Sequence, residues 1–480
     1  MMETVEVASD AYVYFYPVVQ NLKNLFQASI WPHSPAFAPL NQFRHSTTLV
    51  DWRFTSVVSP NNDTLYSRAW LDLDKTPMIL GLPAVPVMDN NKKRYYSFQI
   101  VDGYTYNMKI ISPRTTGSWD AASYLITGPS FNGNIPSNFD EDHIITSTSR
   151  FTFVLGRTGV YCEEDIQNVE AIQKGYTLTP LAQGEAAGPA DVPLFPFIDS
   201  AELSKDTPEP QLFFTYVNFI MNYVSVYSDE SELMQQFNKI CVGPNMTFNG
   251  QTMSRVKYEE INVGVTIGAK KIDLAPITEH FGNVSDGWIA AINPPIFGTR
   301  TVLKGKYATR AFAAKVGLYG VDPQEAYYPS ANKDIDGDTL NSTKNNFTLT
   351  FPAGRFPVVG EAGFWSVTMY RLPERLLVQN PIDRYSIGDR TQGLVYANDG
   401  SLTLYIQKDK PDTDAKAANW LPAPDPSHEG YKSGLFNVIM RIYWPTKQNV
   451  DSSGALRHVQ NQEKTNVTYV EKCAILNISI

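Results

Sequence analysis

Apolar and polar positions along the chain follow a helical period first, then a strand period, and then each of these again. Between residues 5 and 28 apolar side chains recur every three or four positions, which predicts an amphipathic helix. Pro17 lies within this stretch and is expected to kink the helix or to divide it. We therefore predict a helical cap over residues 1–50.

Short apolar and aromatic runs replace the helical spacing between residues 65 and 160, and turns that contain Asn, Gly or Pro separate them. Such runs at close spacing are typical of antiparallel strands. They predict an immunoglobulin-like β-sandwich over residues 51–183. The runs cover residues 65–72, 95–101, 104–111, 124–127 and 151–155.

Residues 184–320 are predicted to form a linker and a helical segment. A stretch rich in Pro, Gly and Ala, residues 184–196, has the composition of a linker. Asp229 followed by Glu232 is the capping-box pattern that begins a helix. The uncharged run 212–227 is shorter than the ~20 residues that a membrane-spanning helix needs, so we expect a buried helix there.

Strand-like runs return after residue 326 and predict a jelly-roll-like β-sandwich over residues 321–480. The expected fold class is therefore α+β, mainly β, with a helical cap, a sandwich, a helical middle segment and a second sandwich. The runs in this part cover residues 347–351, 364–370, 376–379, 394–396, 402–406 and 436–444.

Composition and charge exclude several classes of function. The formal net charge of −9 argues against a nucleic acid as partner. The three cysteines have no CxxC spacing and the six histidines are dispersed, so we expect neither a metal site nor a cofactor. The acidic run Asp334–Asp338 lacks the ligand spacing of a calcium loop and predicts a tight turn instead. The acidic amino terminus does not resemble a secretory signal, which favours a cytoplasmic protein without a membrane partner.

The first candidate site is the string Asn61-Asn62-Asp63-Thr64, which directly precedes a strand. Short Asx side chains accept hydrogen bonds from their own backbone, so the string predicts a tight turn. A functional interpretation makes Asp63 a displayed carboxylate with Arg68 nearby to hold it ionised or to bind an anion. Both interpretations stay open at this point.

The second candidate site places two acids, two guanidiniums and a phenol within eight residues: Asp383, Arg384, Tyr385, Asp389 and Arg390. Arginines in such a loop can grip a carboxylate or sulfate with two parallel hydrogen bonds. An internal network of Asp and Arg side chains that ties the loop between strands is the alternative. Trp420 is expected to pack over the second β domain, and sugar stacking is the functional alternative for its ring.

Many longer strings resemble a two-domain family known only by placeholder names, the domains of unknown function twelve fifty-four and twelve fourteen. The resemblance covers most of the chain in family order. It implies a helical cap, an immunoglobulin-like sandwich and a carboxyl-terminal jelly roll, and it implies no substrate. The strings include residues 14–17, 60–66, 69–73, 94–96, 155–158 and 175–181 in the amino half and 327–329, 351–354, 364–370, 380–390, 399–403, 418–424 and 441–445 in the carboxyl half.

Two functional hypotheses follow from these patterns. The first is the binding or processing of a small polar molecule at the Asp/Arg/Tyr loop of the carboxyl-terminal domain. The second is a structural or assembly protein without catalysis, such as a self-associating scaffold, a chaperone-like body or a virion component. The first hypothesis requires a ligand site beside the loop, and the second requires a homo-oligomer.

Overall fold

A computed structural model describes residues 2–88, 91–182, 192–199, 209–279 and 295–446. It also describes short pieces at residues 201, 281, 283–285, 287–290 and 469–473. The predicted linker over residues 184–196 lies mostly outside these ranges. The described α-helices are α1 Met2–Leu25, α2 Pro113–Thr116, α3 Ile166–Gln173, α4 Pro210–Ile220, α5 Ser231–Asn238, α6 Arg255–Thr278, α7 Arg300–Leu303, α8 Tyr307–Gly317 and α9 Asp414–Ala418.

The amino-terminal helix α1 is the centre of a helical layer that also contains α4, α5, α6 and α8. Pro17 lies inside α1 without dividing it, and a π-helical turn at Phe26–Ile30 follows. Helices α1 and α6 approach closely because Gly264 and Gly268 carry no Cβ. A Cβ at these positions would lie 2.5 Å from the Val5 carbonyl oxygen and 2.8 Å from that of Ser9.

Two antiparallel sheets enclose the core of the amino half. One has the strand order β1-β2-β8-β4-β5 and the other the order β7-β6-β3-β9, in which β6 and β7 pair in parallel. The strands are β1 Arg44–His45, β2 Thr64–Asp72, β3 Met78–Leu82, β4 Tyr96–Val101, β5 Asn107–Ile111, β6 Ala122–Thr127, β7 Ile144–Thr146, β8 Phe151–Gly159 and β9 Thr177–Pro180.

Two further sheets enclose the core of the carboxyl half. The larger sheet follows β10-β11-β13-β20-β15-β16, with β12 on β20 and β17 on β15; the smaller follows β19-β18-β14-β21. The strands are β10 Asn283–Ser285, β11 Trp288–Ala290, β12 Ala326–Tyr327, β13 Ser330–Ala331, β14 Asn346–Phe351, β15 Val359–Arg371, β16 Leu376–Leu377, β17 Ser386–Gly388, β18 Leu402–Gln407, β19 Trp420–Pro422, β20 Phe436–Pro445 and β21 Tyr469–Cys473.

Strand β8 is buried along its whole length because both faces of its sheet are covered. One face points into the core of the amino half, where Val154 lies. On the other face Phe151, Phe153 and Leu155 pack against the helical layer. The same face continues to Arg157, beyond the helices, where the carboxyl half covers it. The helical layer and the carboxyl half therefore cover the same face of this sheet.

The mixed α+β fold class is confirmed, and Trp70 and Trp365 both lie in cores, as the alternation of their strands predicts. The immunoglobulin-like and jelly-roll topologies and the four domain boundaries stay predictions. The acidic run forms the expected turn, with the Asp334 carboxylate accepting the N–H groups of Asp336 and Asp338. Within the described ranges no helix has the length and apolar character needed to cross a membrane.

Two local predictions are wrong. Asp229 does not cap α5, because its carboxylate forms ion pairs with Arg300 and Lys304 instead. Residues 394–396 form a loop and not a strand. Their backbone is held by a side chain, since Asn419 accepts the N–H of Val395 at 2.9 Å and donates to its carbonyl at 2.6 Å. The Asn419 amide thus forms the hydrogen bonds that the backbone of residues 394–396 would form with a neighbouring strand.

Candidate functional site at the junction of the two halves

The structure brings together Asp63 and Arg390, one from each candidate string. Asp63 directly precedes β2 and its carboxylate is fully buried. Arg390 follows β17, and its Nη2 donates to Asp63 Oδ1 at 2.8 Å. Its Nη1 donates to the backbone carbonyl oxygens of Asp63 and Val160. The pair therefore joins the amino half to the carboxyl half.

The second oxygen of Asp63 also accepts hydrogen bonds from the carboxyl half. Ser366 Oγ donates to Asp63 Oδ2 at 2.7 Å, and the Tyr443 hydroxyl lies 3.3 Å from the same atom. The predicted turn is present as well, since the Asn61 side chain accepts the N–H of Asp63 at 2.7 Å. The Asx turn and a carboxylate that forms tertiary contacts thus occur together at Asp63. The partners of this carboxylate are residues of the protein itself.

Arg68 does not hold Asp63, so the predicted pairing of these two residues is wrong. The Arg68 guanidinium donates to the carbonyl oxygen of Ala36 at 3.2 Å, and its neighbour across the sheet is Arg44. Burial lowers the pKa of Arg68, and Arg44 lowers it further. Sequence proximity is misleading here because five positions along a strand span ~17 Å.

The remaining predicted residues form a framework within the carboxyl half. The Tyr385 hydroxyl donates to Asp383 Oδ1 at 2.9 Å, while the Arg384 guanidinium donates to the carbonyl oxygens of Ala418 and Trp420, each at 2.9 Å. Trp420 is buried, and its indole N–H donates to the carbonyl oxygen of Gln407. Asp389 is exposed, although its carboxylate accepts the N–H of Trp365 at 3.1 Å. Most of these polar groups therefore have partners in the chain itself.

A second group of charged and phenolic side chains lies at the same junction, and the sequence reading did not select it. Arg157 on β8 is directly opposite Tyr66 on β2 and Ser97 on β4. Its guanidinium carbon lies 5.6 Å from the centre of the Tyr66 ring. The guanidinium donates to Gln99 Oε1 at 2.9 Å and to the Tyr319 carbonyl oxygen at 2.7 Å. One signal was available: Arg157 is the one charged residue of β8.

Arg441 is the corresponding residue on the carboxyl-half sheet. It lies on β20 opposite Ser366 of β15. Its guanidinium donates to Thr368 Oγ1 at 2.9 Å and to the Ser59 carbonyl oxygen at 3.0 Å. Burial of Arg157 and Arg441 is nearly complete, at 6% and 5% exposure. Two charged side chains thus enter one junction from opposite sheets.

Tyr328 is close enough to both guanidiniums for each of them to act on its pKa. Burial raises the pKa of its phenol, and Arg157 and Arg441 act against that rise, so that the pKa is about 12. The phenol therefore keeps its proton at neutral pH and can donate a hydrogen bond. Tyr328 and Tyr66 are both half-buried residues.

The arginines of the junction differ in whether a carboxylate forms an ion pair with them. Arg390 is balanced by Asp63, and Arg114 by the buried Glu325, whose carboxylate also accepts hydrogen bonds from Tyr95 and Ser112. Among the described residues neither Arg157 nor Arg441 forms an ion pair. Phenols and the nearby Asp63 carboxylate raise the pKa of Arg441 against the effect of burial, whereas phenols act in this way on the pKa of Arg157. A guanidinium that is away from water and not fully compensated is costly, so the positive charge of Arg157 in particular is held here at a cost in stability.

Other parts of the described chain are less favourable as binding sites. In the described part of the chain no group of three or more His, Cys, Asp or Glu side chains is arranged to hold a metal ion. A cavity of about 10 Å³ under α1 is lined mainly by apolar side chains such as Leu22 and Trp70. A surface depression of about 300 Å³ beside Gly81 and Gly175 is lined by uncharged residues. Neither offers charged groups for chemistry.

Comparisons with known proteins agree with this architecture. Residues 40–180 match the family model described as a protein of unknown function, DUF1254, and residues 325–447 match the one described as DUF1214. The chain therefore belongs to the two-domain family that its motifs resemble, with the junction lying between the two matched regions. A search of curated proteins finds no match.

One solved structure shows the same fold. The crystal structure of the VPA0106 protein from Vibrio parahaemolyticus is similar, with a TM-score of 0.69 and 23% identity; the alignment covers 98% of this chain and 100% of that one. An uncharacterized protein from Burkholderia cenocepacia aligns with a TM-score of 0.41 and 12% identity, over 93% of this chain and 92% of that one. At this level of identity the first likeness concerns the fold alone.

Proposed function

We propose that this protein binds a small organic anion, most simply a carboxylate, at the junction of its two halves. The observation that carries the proposal is the pair of buried arginines, Arg157 and Arg441, without a carboxylate partner among the described residues. Arg390, in contrast, has its partner in Asp63. A ligand carboxylate would supply the missing negative charge.

The free-energy cost of burying a charged guanidinium supports this assignment. A buried guanidinium is stable only when its charge and its N–H groups are satisfied. The amide and carbonyl oxygens around Arg157 satisfy hydrogen bonds and supply no net charge. Binding sites keep such unfavourable groups because the ligand recovers the electrostatic energy when it binds. Arginine is also the side chain that holds a carboxylate with two parallel hydrogen bonds.

The surrounding phenols support an organic ligand over a bare inorganic ion. Tyr66 and Tyr328 are half-buried, and Tyr95 and Tyr443 are buried in a cluster against which Tyr328 packs. Such rings supply apolar contact area, and a protonated phenol donates a hydrogen bond. The expected ligand is therefore a small carboxylate with an apolar or hydroxylated body.

The Asp/Arg/Tyr loop enters this proposal as one wall of the site. Arg390 locks the loop to Asp63, and its guanidinium carbon lies 3.5 Å above the centre of the Phe364 ring. Asp383, Arg384 and Tyr385 hold the loop in place through contacts within the carboxyl half. We propose that these residues position the wall and that Arg157 and Arg441 contact the anion.

The test is a thermal-shift screen followed by calorimetric titration. Small mono- and dicarboxylates, phosphate and neutral sugars are added to the full chain at equal ionic strength. A ligand at about 100 times its Kd adds about 2.7 kcal/mol to the free energy of unfolding, which a melting curve detects. We expect a carboxylate to raise the melting temperature and the neutral sugars to leave it unchanged.

Variants assign the effect to the junction. Arg157→Met and Arg441→Met should each weaken carboxylate binding at least tenfold. Arg355→Met removes the same charge from an exposed position and should leave binding unchanged. If no carboxylate shifts the melting temperature, or if both junction variants bind as well as the parent protein, the proposed function is wrong.

A further inference from the structure

Helix α6 has two apolar faces, and only one of them is covered. Its buried face, which contains Ile261, Val265 and Ile272, packs against the helical layer that includes α1. A second stripe lies ~130° around the helix at 100° per residue. It is made of five exposed apolar side chains: Val256, Val263, Ile267, Leu274 and Ile277.

The spacing of this stripe is that of a coiled-coil seam. Its members follow each other at intervals of seven, four, seven and three residues, which keeps them on one side of the helix over several turns. The exposed fractions are large, from 38% at Ile267 to 73% at Ile277. Contiguous apolar surface on this scale marks an interaction site more often than chance exposure.

The stripe is complementary to itself when a second copy runs antiparallel to the first. Centred on Val265, Val263 meets Ile267 of the second copy and Val256 meets Leu274, because the members of each pair are equally far from the centre. The same twofold rotation places Glu260 of one copy opposite Lys270 of the other. Four of the five apolar side chains thus receive an apolar partner, Ile277 lies beyond the paired region, and the one acidic position in the seam receives a basic one.

The charges beside the seam support this arrangement. Glu260 and Lys270 form no ion pair within the described ranges. The flanking charges are already occupied inside the chain, with Glu259 bound to Arg255, Lys271 to Asp10 and Asp273 to Lys315. A parallel pair would place Glu260 against Glu260 and Lys270 against Lys270, which like-charge repulsion disfavours.

We propose that this protein forms an antiparallel homodimer through the exposed face of α6, with Glu260 of each copy paired to Lys270 of the other. The contact is ~30 Å long and buries on the order of 1,000 Å² in total, at the low end of specific interfaces. A micromolar dissociation constant is therefore expected. This dimer is independent of the proposed ligand site, since α6 lies outside the junction.

A charge-exchange experiment tests the dimer. Sedimentation equilibrium of the full chain, with a monomer mass of 53.7 kDa, should show a monomer–dimer equilibrium between about 1 and 100 µM. Glu260→Lys and Lys270→Glu should each weaken dimerisation at least tenfold by creating like-charge pairs. The double variant Glu260→Lys/Lys270→Glu should restore it. Glu163→Lys, an exposed change elsewhere, is the matched control and should have no effect.

Three outcomes would each overturn the proposed dimer. A parent chain that stays monomeric at the highest concentration excludes the dimer. A dimer that survives both single exchanges uses a different surface, and failure of the double exchange to restore association excludes the antiparallel register. All three variants should unfold at the parent's midpoint, because neither position is buried. Ligand binding at the junction should be equal in all of them, which separates this test from that of the proposed function.

Discussion

The half-buried Arg390 and the buried Arg157 lie at the same junction, and their environments differ in the presence of a carboxylate. Arg390 has Asp63 at 2.8 Å, whereas Arg157 is surrounded by an amide, a backbone carbonyl and phenols. Both donate to oxygen atoms, so hydrogen bonding does not distinguish them. Only Arg390 has its charge neutralised. The comparison suggests that the first environment holds the two halves together and that the second is kept for a ligand.

The largest expected effect comes from removing Asp63. The substitution Asp63→Ala leaves Arg390 buried without its partner and removes the acceptor of Ser366. Breaking a buried pair on one side costs about 3–5 kcal/mol. Urea unfolding monitored by tryptophan fluorescence measures the loss, with the exposed Asp399→Ala as control. A cost below about 1 kcal/mol would contradict the role of this pair as a lock.

A smaller effect is expected for Arg390→Lys, which keeps the positive charge and loses the planar, forked guanidinium. Lysine cannot donate to Asp63 Oδ1 and to the carbonyl oxygens of Asp63 and Val160 at once. We expect a loss of about 1–3 kcal/mol in the free energy of unfolding. Thermal and urea midpoints measure it beside Arg355→Lys on the surface. An unchanged midpoint would place Arg390 with the ligand-binding arginines instead.

Arg157→Met is expected to change stability by less than about 1 kcal/mol, because two opposing effects nearly cancel. The substitution relieves an uncompensated buried charge, and it leaves Gln99 Oε1 and the Tyr319 carbonyl oxygen without their donor. Urea unfolding in the absence of ligand measures the sum. A loss as large as that of Asp63→Ala would show that Arg157 has a structural function and would remove the contrast between the two arginines.

The smallest expected effect is a change in pH dependence at Asp322, which is connected to Arg157 through Gln99 and Asn107. Burial raises the pKa of Asp322, and the Asn107 hydrogen bond acts against that rise. The folded state therefore holds the proton more tightly than the unfolded state does. The stability that this proton contributes is full below the ordinary pKa of 3.8 and declines as the pH rises through the higher folded value.

Asp322→Asn removes this decline, so the variant should gain stability relative to the parent between about pH 4 and pH 7. Urea midpoints of both proteins at the two pH values give the difference. An equal difference at both values would show that Asp322 is ionised throughout this range. Asp142→Asn, an exposed change, controls for the loss of one charge.

Several features of the fold could be predicted from the sequence because they depend on local periodicity. The alternation around Trp70 and Trp365 predicts strands that face cores, and both residues are buried. The Asn61–Thr64 string predicts an Asx turn, which the Asn61 side chain forms. Family motifs identified both halves, because such motifs keep their order along the chain.

Other features depend on contacts between distant parts of the chain. Arg68 was assigned to Asp63 because it is near in sequence, whereas the real partner, Arg390, lies 327 positions away. Asp229 was expected to cap a helix and instead pairs with Arg300 and Lys304. The sequence indicates that Arg157 is the one charged residue of its strand, and no local pattern shows which groups surround it.

The sequence by itself determined most of the elements, the order of the two family domains and the turn that presents Asp63, since each follows from neighbouring residues and backbone preferences. The tertiary structure decided which charges are neutralised. Whether a buried guanidinium is a lock or a ligand site depends on the side chains that the opposing sheet places beside it. The packing of the helical layer also decided that one apolar face of α6 stays exposed, because α1, α4 and α8 contact this helix and its exposed stripe is left uncovered.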